Sequence, residues 1–183
     1  RGARLALPRP PRRMIGRPAP DEFGDFYRRY IDLVEGDDLL AALRMPVLAN
    51  ALQDLDPALG AHAYAPGKWT LAQSVQHVID TERIFATRAL RIARGDATPL
   101  PGFDQDAYVP LAPVCPLSTL ADTLDRLRAA TLDLFEAFSE ADARRIGTAS
   151  GSPLSARAAG WIVAGHERHH VQILHERYLA PRT

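Results

Sequence analysis

The helical spacing of apolar residues in three long stretches constrains the fold of this chain more than any other feature. Within residues 71–94, 118–138 and 156–179, apolar side chains recur every three or four positions, a spacing that places them on one face of an α-helix. Nowhere does the chain keep the strict alternation of a half-buried strand over a useful length. The pattern predicts an all-α fold, a small helical bundle.

Local signals mark the ends of these helices. Thr70 and Gln73 form a capping-box pattern at the start of the first long helix, and Gly95 ends it. Ser118 and Ser155 are the expected N-caps of the two later helices, because a serine hydroxyl can accept from the free amides of the first turn.

Two shorter helical segments precede them. Residues 21–34 carry aromatic and aliphatic side chains at helical spacing and predict a short helix packed on the bundle. Residues 37–55 predict a second segment, capped by Asp37 or Asp38. Pro46 should kink or restart it, since proline cannot donate to the preceding turn.

Between the helices, residues 96–116 hold five prolines and residues 147–153 lack any periodicity, so both are expected to be irregular connections. Residues 1–20 are rich in arginine and proline and predict a poorly ordered tail. Met14 within it resembles a natural start. Residues 21–183 are then expected to form one domain.

The composition excludes some classes of function. The 183 residues include 22 Lys plus Arg and 22 Asp plus Glu, so the net charge is zero. Binders of nucleic acid or of anionic membranes need excess positive charge, and neither partner is expected. Cys115 is the sole cysteine, which precludes an intramolecular disulfide and fits a cytoplasmic location. No apolar run approaches the roughly 18–20 residues of a membrane span.

The most informative side chains are two histidines on the last helix. His166 and His170 fall in the middle of its apolar stripe, whereas His169 lies on the shoulder of that stripe and His175 on the opposite side. Side chains four residues apart are stacked on one helix face, so both imidazoles could reach one ion. The alternative is a pair of buried histidines that are only hydrogen-bonded, and two such rings amid aliphatic neighbours favour the metal.

The same residues match the zinc-protease motif H-E-x-x-H, with Glu167 as the potential general base. The extended form of that motif requires a glycine and a histidine at positions where this chain has Ile173 and Glu176. A protease of this type needs a third ligand further along the chain, and only thirteen residues follow His170. A protease is therefore disfavoured.

The residues alone leave the third ligand open among His62, His77, Cys115 and many carboxylates. His77 lies on the flank of the apolar stripe of its helix, whereas Glu82 lies in the middle of that stripe. A carboxylate in that position should bind metal, have a raised pKa, or pair with an arginine. The arginines considered as partners of Glu82 are Arg83, Arg88 and Arg157.

Several motifs together resemble the DinB/YfiT-like superfamily of metalloenzymes. The similarity covers about residues 14–179 and rests on segments 67–70 (GKWT), 74–83 (SVQHVIDTER), 88–96, 99–104 and 165–170 (GHERHH). The resemblance implies a four-helix bundle, here with an extra short N-terminal helix and long irregular connections.

The resemblance also implies a site. Carried over by position, the metal ligands are His77, His166 and His170, with zinc, nickel or iron as the divalent ion. Relatives of this kind include hydrolases and thiol-dependent transferases, so a small-molecule substrate, a low-molecular-weight thiol and a homodimer are expected. Glu82 and Asp80 are candidate catalytic groups, together with the loop carboxylates Asp104 and Asp106.

Three functions remain open from the sequence. The chain could be a metal-dependent enzyme, a non-catalytic metal-binding or stress-related interaction protein, or a helical interaction domain without metal. The histidine spacing favours the two functions that bind a metal, and the sequence does not decide between hydrolysis and thiol transfer.

Overall fold

The computed structural model describes residues 14–180. Residues 1–13 of the predicted tail lie outside this range. The remainder of the tail packs on the bundle, because Ile15 is buried and the Arg17 guanidinium lies 4.6 Å from the centre of the Trp161 ring. The Trp161 indole also donates a hydrogen bond to the Gly16 carbonyl at 3.1 Å. The prediction of a poorly ordered tail is therefore wrong for residues 14–20.

The chain forms eight α-helices and one β-hairpin within the described residues. The helices are α1 (Arg28–Ile31), α2 (Leu39–Leu43), α3 (Val47–Leu52), α4 (Leu71–Ala93), α5 (Gln105–Tyr108), α6 (Leu117–Glu136), α7 (Glu140–Arg144) and α8 (Ala156–Ile173). The last continues as one π-helical turn over Leu174–Tyr178. No helix of the described part is long and apolar enough to cross a membrane.

Four helical units form the bundle, with α2 and α3 as the two halves of one broken helix. α4 packs against both α6 and α8, and the broken helix also packs against both. α4 therefore lies diagonally across the bundle from the unit that precedes it in the chain. The short α1 packs on the outside of α8. The predicted all-α four-helix bundle with an extra N-terminal helix is confirmed.

Most of the predicted helix ends are found in the structure. The Thr70 hydroxyl accepts from the Gln73 amide at 3.2 Å, and the Gln73 side chain accepts from the Thr70 amide at 2.9 Å. Ser155 caps α8 through the Ala158 amide. The cap predicted at Ser118 is wrong, because α6 begins at Leu117, directly after Pro116. Proline is tolerated as the residue directly before a helix, where its missing N–H would have no partner within the helix.

The first segments are more irregular than the spacing predicts. Residues 21–34 contain two separate turns of 3-10 helix, at Pro20–Glu22 and Asp25–Tyr27, and only then α1. Gly24 between them is extended, so one continuous helix cannot form. Pro46 separates α2 from α3, as predicted.

A β-hairpin replaces the loop predicted at residues 147–153. β1 (Ile146–Ala149) pairs with β2 (Ser152–Ser155) in antiparallel register. The turn residues Ser150 and Gly151 have positive φ of 52° and 77°, as two-residue hairpin turns require. Strands of four residues are too short to show a clear alternation, which is why the sequence pattern did not reveal them.

A buried polar layer divides the core into two apolar clusters. On α4, Val78 and Ile79 belong to one cluster and Phe85 to the other. The side chains between them are buried and polar or charged, and the same occurs at the matching level of α6 and α8. The layer consists of His77, Thr81, Glu82, Arg128, His166, Glu167 and His170.

Candidate metal centre

α8 turns His166 and His170 into the bundle, as the helical spacing predicts. Their ring centres are 4.6 Å apart, and both side chains are buried. The residue before the first histidine is Gly165, where a Cβ would lie 1.9 Å from the Tyr30 carbonyl oxygen. Because this position lacks a side chain, α1 can approach α8 closely enough for the Tyr30 ring to reach His166, with centres 5.2 Å apart.

His77 completes the cluster from α4. Its Nε2 lies 3.2 Å from the His166 Nε2, and its ring centre lies 5.2 Å from that of His170. One nitrogen from each of the three rings lies within 4.8 Å of the other two. The periodicity of α4 placed His77 on the flank of its stripe, and that flank faces α8 because α4 packs on two neighbouring helices.

Neighbouring side chains hold the three rings in place. The Ser74 hydroxyl lies 3.1 Å from the Nδ1 of His170, and this contact leaves the other nitrogen of the ring free to bind an ion. The Trp69 ring lies 5.1 Å from the ring of His77. Ser74 precedes His77 by three residues on the same helix face, a spacing that could have predicted its support of the site.

Burial keeps the three imidazoles neutral. It lowers the pKa of His77 from 6.5 to about 4, although Asp80 and Asp106 oppose the shift. Burial also lowers the pKa of His170 to about 3, helped by the neighbouring rings. The pKa of His166 lies well below its ordinary value for the same reasons. Neutral imidazole is the form that binds a metal.

The three rings fit a divalent transition metal. Two nitrogens bound to one tetrahedral zinc at about 2.0–2.1 Å are roughly 3.3 Å apart, close to the 3.2 Å between His77 and His166. Three neutral nitrogens suit zinc, nickel or iron, and they leave further coordination positions for other ligands.

The buried carboxylates belong to a separate ion-pair network. Arg128 donates to the Glu82 carboxylate at 2.9 and 3.1 Å and to the Glu167 carboxylate at 2.8 Å. Glu167 also accepts from the Leu48 amide. Although burial alone would lower the pKa of Arg128, the two carboxylates raise it above its ordinary value.

This network corrects two sequence expectations. The partner of Glu82 is Arg128 and not Arg83, Arg88 or Arg157. Glu167, the potential base of the protease motif, is engaged with Arg128 and so cannot activate a water at the histidines. Arg128 was missed, although its position between Leu124 and Thr131 on the inward face of α6 could have predicted a buried partner for a carboxylate.

The other candidate residues lie at different places. Asp80 accepts from Gln76 and Arg83 on an outer face of α4. The Asp104 side chain caps α5. Asp106 lies in the same cavity as His77 and His170. Among the described residues, neither His62 nor Cys115 joins the histidine cluster.

Two cavities open next to the histidines and share His77, His166, Arg29, Tyr30 and Gln105. The first, the polar cavity, has a volume of about 350 Å³. Its other polar and aromatic lining includes Tyr64, Lys68, Trp69, Ser74, Asp106, His169, His170 and Tyr178. The second, the aromatic cavity, has a volume of about 600 Å³. Its aromatic walls are Phe26, Tyr27, Tyr30, Phe85 and Phe103.

The fold and the cluster define a class of protein, a four-helix bundle whose three inward histidines fit a metal ion. The sequence profile of the DinB superfamily matches residues 39–174, about three quarters of the chain. The chain belongs to the DinB superfamily.

Two solved structures share the fold. YfiT from Bacillus subtilis is 18% identical, covers 82% of this chain and 84% of its own length, and superposes with a TM-score of 0.61. It is described as a probable metal-dependent hydrolase with an unusual four-helix bundle topology. A DinB-like protein of the same organism, YjoA, is 17% identical over 82% of this chain and 89% of its own, with a TM-score of 0.53. No curated protein matches the chain in sequence.

Proposed function

We propose that this chain is a metal-dependent enzyme that acts on a small molecule, with His77, His166 and His170 as the metal ligands. The observation that carries the proposal is the convergence of three buried, neutral imidazoles between two cavities. A purely structural cluster would not need cavities on either side. The description of YfiT as a probable metal-dependent hydrolase is consistent with it.

Hydrolysis is the reaction that the surroundings favour. A bound divalent ion would lower the pKa of a water, or hold a low-molecular-weight thiol as thiolate. Asp106 lies in the polar cavity with His77 and His170, so we place proton transfer there. Asp80 and Glu82 line neither cavity, and Glu82 is already held by Arg128.

The alternative reaction is thiol-dependent transfer. The polar cavity carries Lys68 and Arg29 beside the histidines, and these cations could bind the carboxylates of a low-molecular-weight thiol. Hydrolysis needs only water in that space, whereas transfer needs a thiol in one cavity and an electrophile in the other.

A turnover screen tests the proposal and separates the two reactions. Zinc-, nickel- and iron-loaded protein would be given ester, amide and electrophile substrates, each with and without a low-molecular-weight thiol. Activity without thiol supports hydrolysis, and activity only with thiol supports transfer. Loss of the activity in His170→Ala ties it to the site, whereas retention in this variant would refute the assignment. His175→Ala, an exposed histidine outside the cluster, is the control.

The non-catalytic alternative is a metal-binding module in which the ion only joins helices. Stoichiometric metal without any turnover across the screen would favour it. The homodimer that the resemblance implies and the cytoplasmic location that the single cysteine fits both stay predictions. Sedimentation would test the first, and localisation of the tagged protein in cells would test the second.

A further inference from the structure

The aromatic cavity extends from the histidines along α4. His77, Thr81 and Phe85 line it at intervals of four residues, so they share one face of the helix. The rise from His77 to Phe85 is about 12 Å at 1.5 Å per residue. The cavity therefore has a metal end at the histidines and a far end at Phe85, and Phe103 also contributes to its wall.

A buried cation lies behind the far end. Arg88 is only 4% exposed, and its guanidinium lies 4.9 Å from the centre of the Phe85 ring. Among the described residues no carboxylate pairs with it. Its Nη2 donates to the Pro101 carbonyl at 2.7 Å and to the Ser150 hydroxyl at 3.1 Å, while its Nη1 has no partner there. A buried guanidinium is ordinarily paired with an anion, so this one lacks its expected counter-charge.

Ser150 connects this cation to the cavity. Ser150 lines the aromatic cavity, whereas Arg88 lines a neighbouring cavity. Because the Ser150 oxygen accepts from Arg88, its hydroxyl hydrogen remains free to donate to a ligand. Ser150 adopts a left-handed φ of 52° in the hairpin turn, where glycine would fit without strain. The chain thus carries a strained serine at the one turn position that places a hydroxyl next to Arg88.

Further polar and charged side chains line the cavity, one of them acidic. The Thr81 hydroxyl is buried in the wall without a partner among the described residues. Asp104 also lines the cavity, but its carboxylate is engaged by the Asp106 and Ala107 amides. Arg29, at the side shared with the polar cavity, adds a second positive charge.

We propose that the aromatic cavity binds the substrate and that the substrate is a small aromatic carboxylate. Its ring lies against the aromatic wall formed by Phe85, Tyr27 and Phe103, and its carboxylate accepts from the Ser150 hydroxyl, with Arg88 supplying the positive charge behind it. The other end of the substrate then faces His77 and His166. The inference rests on the proposed function, since it names the substrate class of that site.

Binding of a probe tests this without any turnover. Phenylpropionate and its neutral analogue phenylpropionamide would be titrated calorimetrically into the zinc-loaded full-length protein. In Arg88→Met the affinity for the carboxylate should fall about tenfold, because the positive charge behind the Ser150 hydroxyl is lost and a buried charge is only weakly screened by solvent. The affinity for the neutral amide should change by less than about threefold. Arg83→Met should leave both affinities unchanged, because Arg83 is an exposed arginine of the same helix that is paired with Asp80.

A second variant keeps the test valid if Arg88→Met fails to fold. Ser150→Gly removes the hydroxyl and relieves the left-handed strain, so it should raise the melting temperature and still weaken carboxylate binding by several-fold. Phe103→Ala should weaken the binding of the carboxylate and of the amide alike, because it removes an aromatic side chain that the ring of either probe contacts.

Three results would overturn the inference. The first is carboxylate affinity that is unchanged in both Arg88→Met and Ser150→Gly. The second is affinity that disappears when zinc is chelated, which would place the carboxylate on the metal. The third is an affinity for the carboxylate that is lost in Arg29→Met and kept in Arg88→Met. A failed titration would leave the metal site intact, and a protein without metal could still bind the probe, so the two proposals fail separately.

Discussion

At the residue scale, the histidine cluster couples folding to pH. The three imidazoles are neutral in the folded protein because burial lowers each pKa, whereas in the unfolded chain their pKa is about 6.5. Between these pKa values the unfolded state binds more protons than the folded state. The stability that the three neutral rings contribute to the metal-free protein is therefore fully present above about pH 6.5 and is lost as the pH falls below it.

The expected slope is roughly 1.4 kcal/mol per pH unit for each ring that stays neutral in the folded state. Urea unfolding of the chelator-treated protein between pH 7 and pH 5 measures it. His77→Asn should flatten the slope and His175→Asn should not. An equal slope in wild type and His77→Asn would contradict the burial of a neutral His77.

The Glu82–Arg128–Glu167 network gives a second residue-scale prediction. Arg128→Met leaves two buried carboxylates without a cation, which should cost about 3–5 kcal/mol of unfolding free energy. The triple variant Glu82→Met, Arg128→Met, Glu167→Gln should recover most of the loss, because no unpaired charge remains and the glutamine still accepts from the Leu48 amide.

Urea unfolding measures both variants. Arg126→Met is the control, since Arg126 is an exposed neighbour on α6, and it should change stability by less than about 0.5 kcal/mol. A triple variant as unstable as Arg128→Met would show that the loss comes from packing and not from the unpaired charges.

At the element scale, the contact between α1 and α8 depends on one glycine. Helix propensity alone predicts that Gly165→Ala stabilises α8 by about 1 kcal/mol. The structure predicts the opposite sign, because the new Cβ would lie 1.9 Å from the Tyr30 carbonyl oxygen. We expect a loss of about 3 kcal/mol or more, with weakened metal binding as Tyr30 moves away from His166.

Thermal unfolding of Gly165→Ala tests this prediction. The matched substitution Gly16→Ala has no atom within 4 Å of its Cβ and should be nearly neutral. A Gly165→Ala protein that is as stable as the wild type would contradict the close approach of α1.

Features that depend on a single helix could be predicted from the sequence, whereas features that depend on packing between helices could not. The spacing of His166 and His170 on one long helix determined their direction, because a single helix needs only its own periodicity. His77 could not be assigned in that way, since its side of α4 became internal only through packing on α8. The partner of Glu82 likewise depended on which face of α6 met α4. The hairpin around Ser150 depends only on neighbouring residues. It was nevertheless missed, because each of its strands has only four residues, too few to show the alternation of a strand.

At the scale of the whole molecule, the histidines join α4 to α8 across the layer that separates the two apolar clusters. A metal bound there should stabilise the entire bundle, because it binds the folded state and not the separated helices. Zinc at one hundred times its dissociation constant should add about 2.7 kcal/mol of unfolding free energy. The increase in melting temperature, and its absence in His166→Ala, can be measured by calorimetry.

The most direct test of the central claim is the metal content of the untagged protein after loading with zinc and dialysis. The account predicts one zinc per chain in the wild type and in His175→Ala, and loss of most of the zinc in His77→Ala, whose side chain comes from a different helix than the other two ligands. A wild-type protein that retains no stoichiometric metal after loading would contradict the three-histidine site.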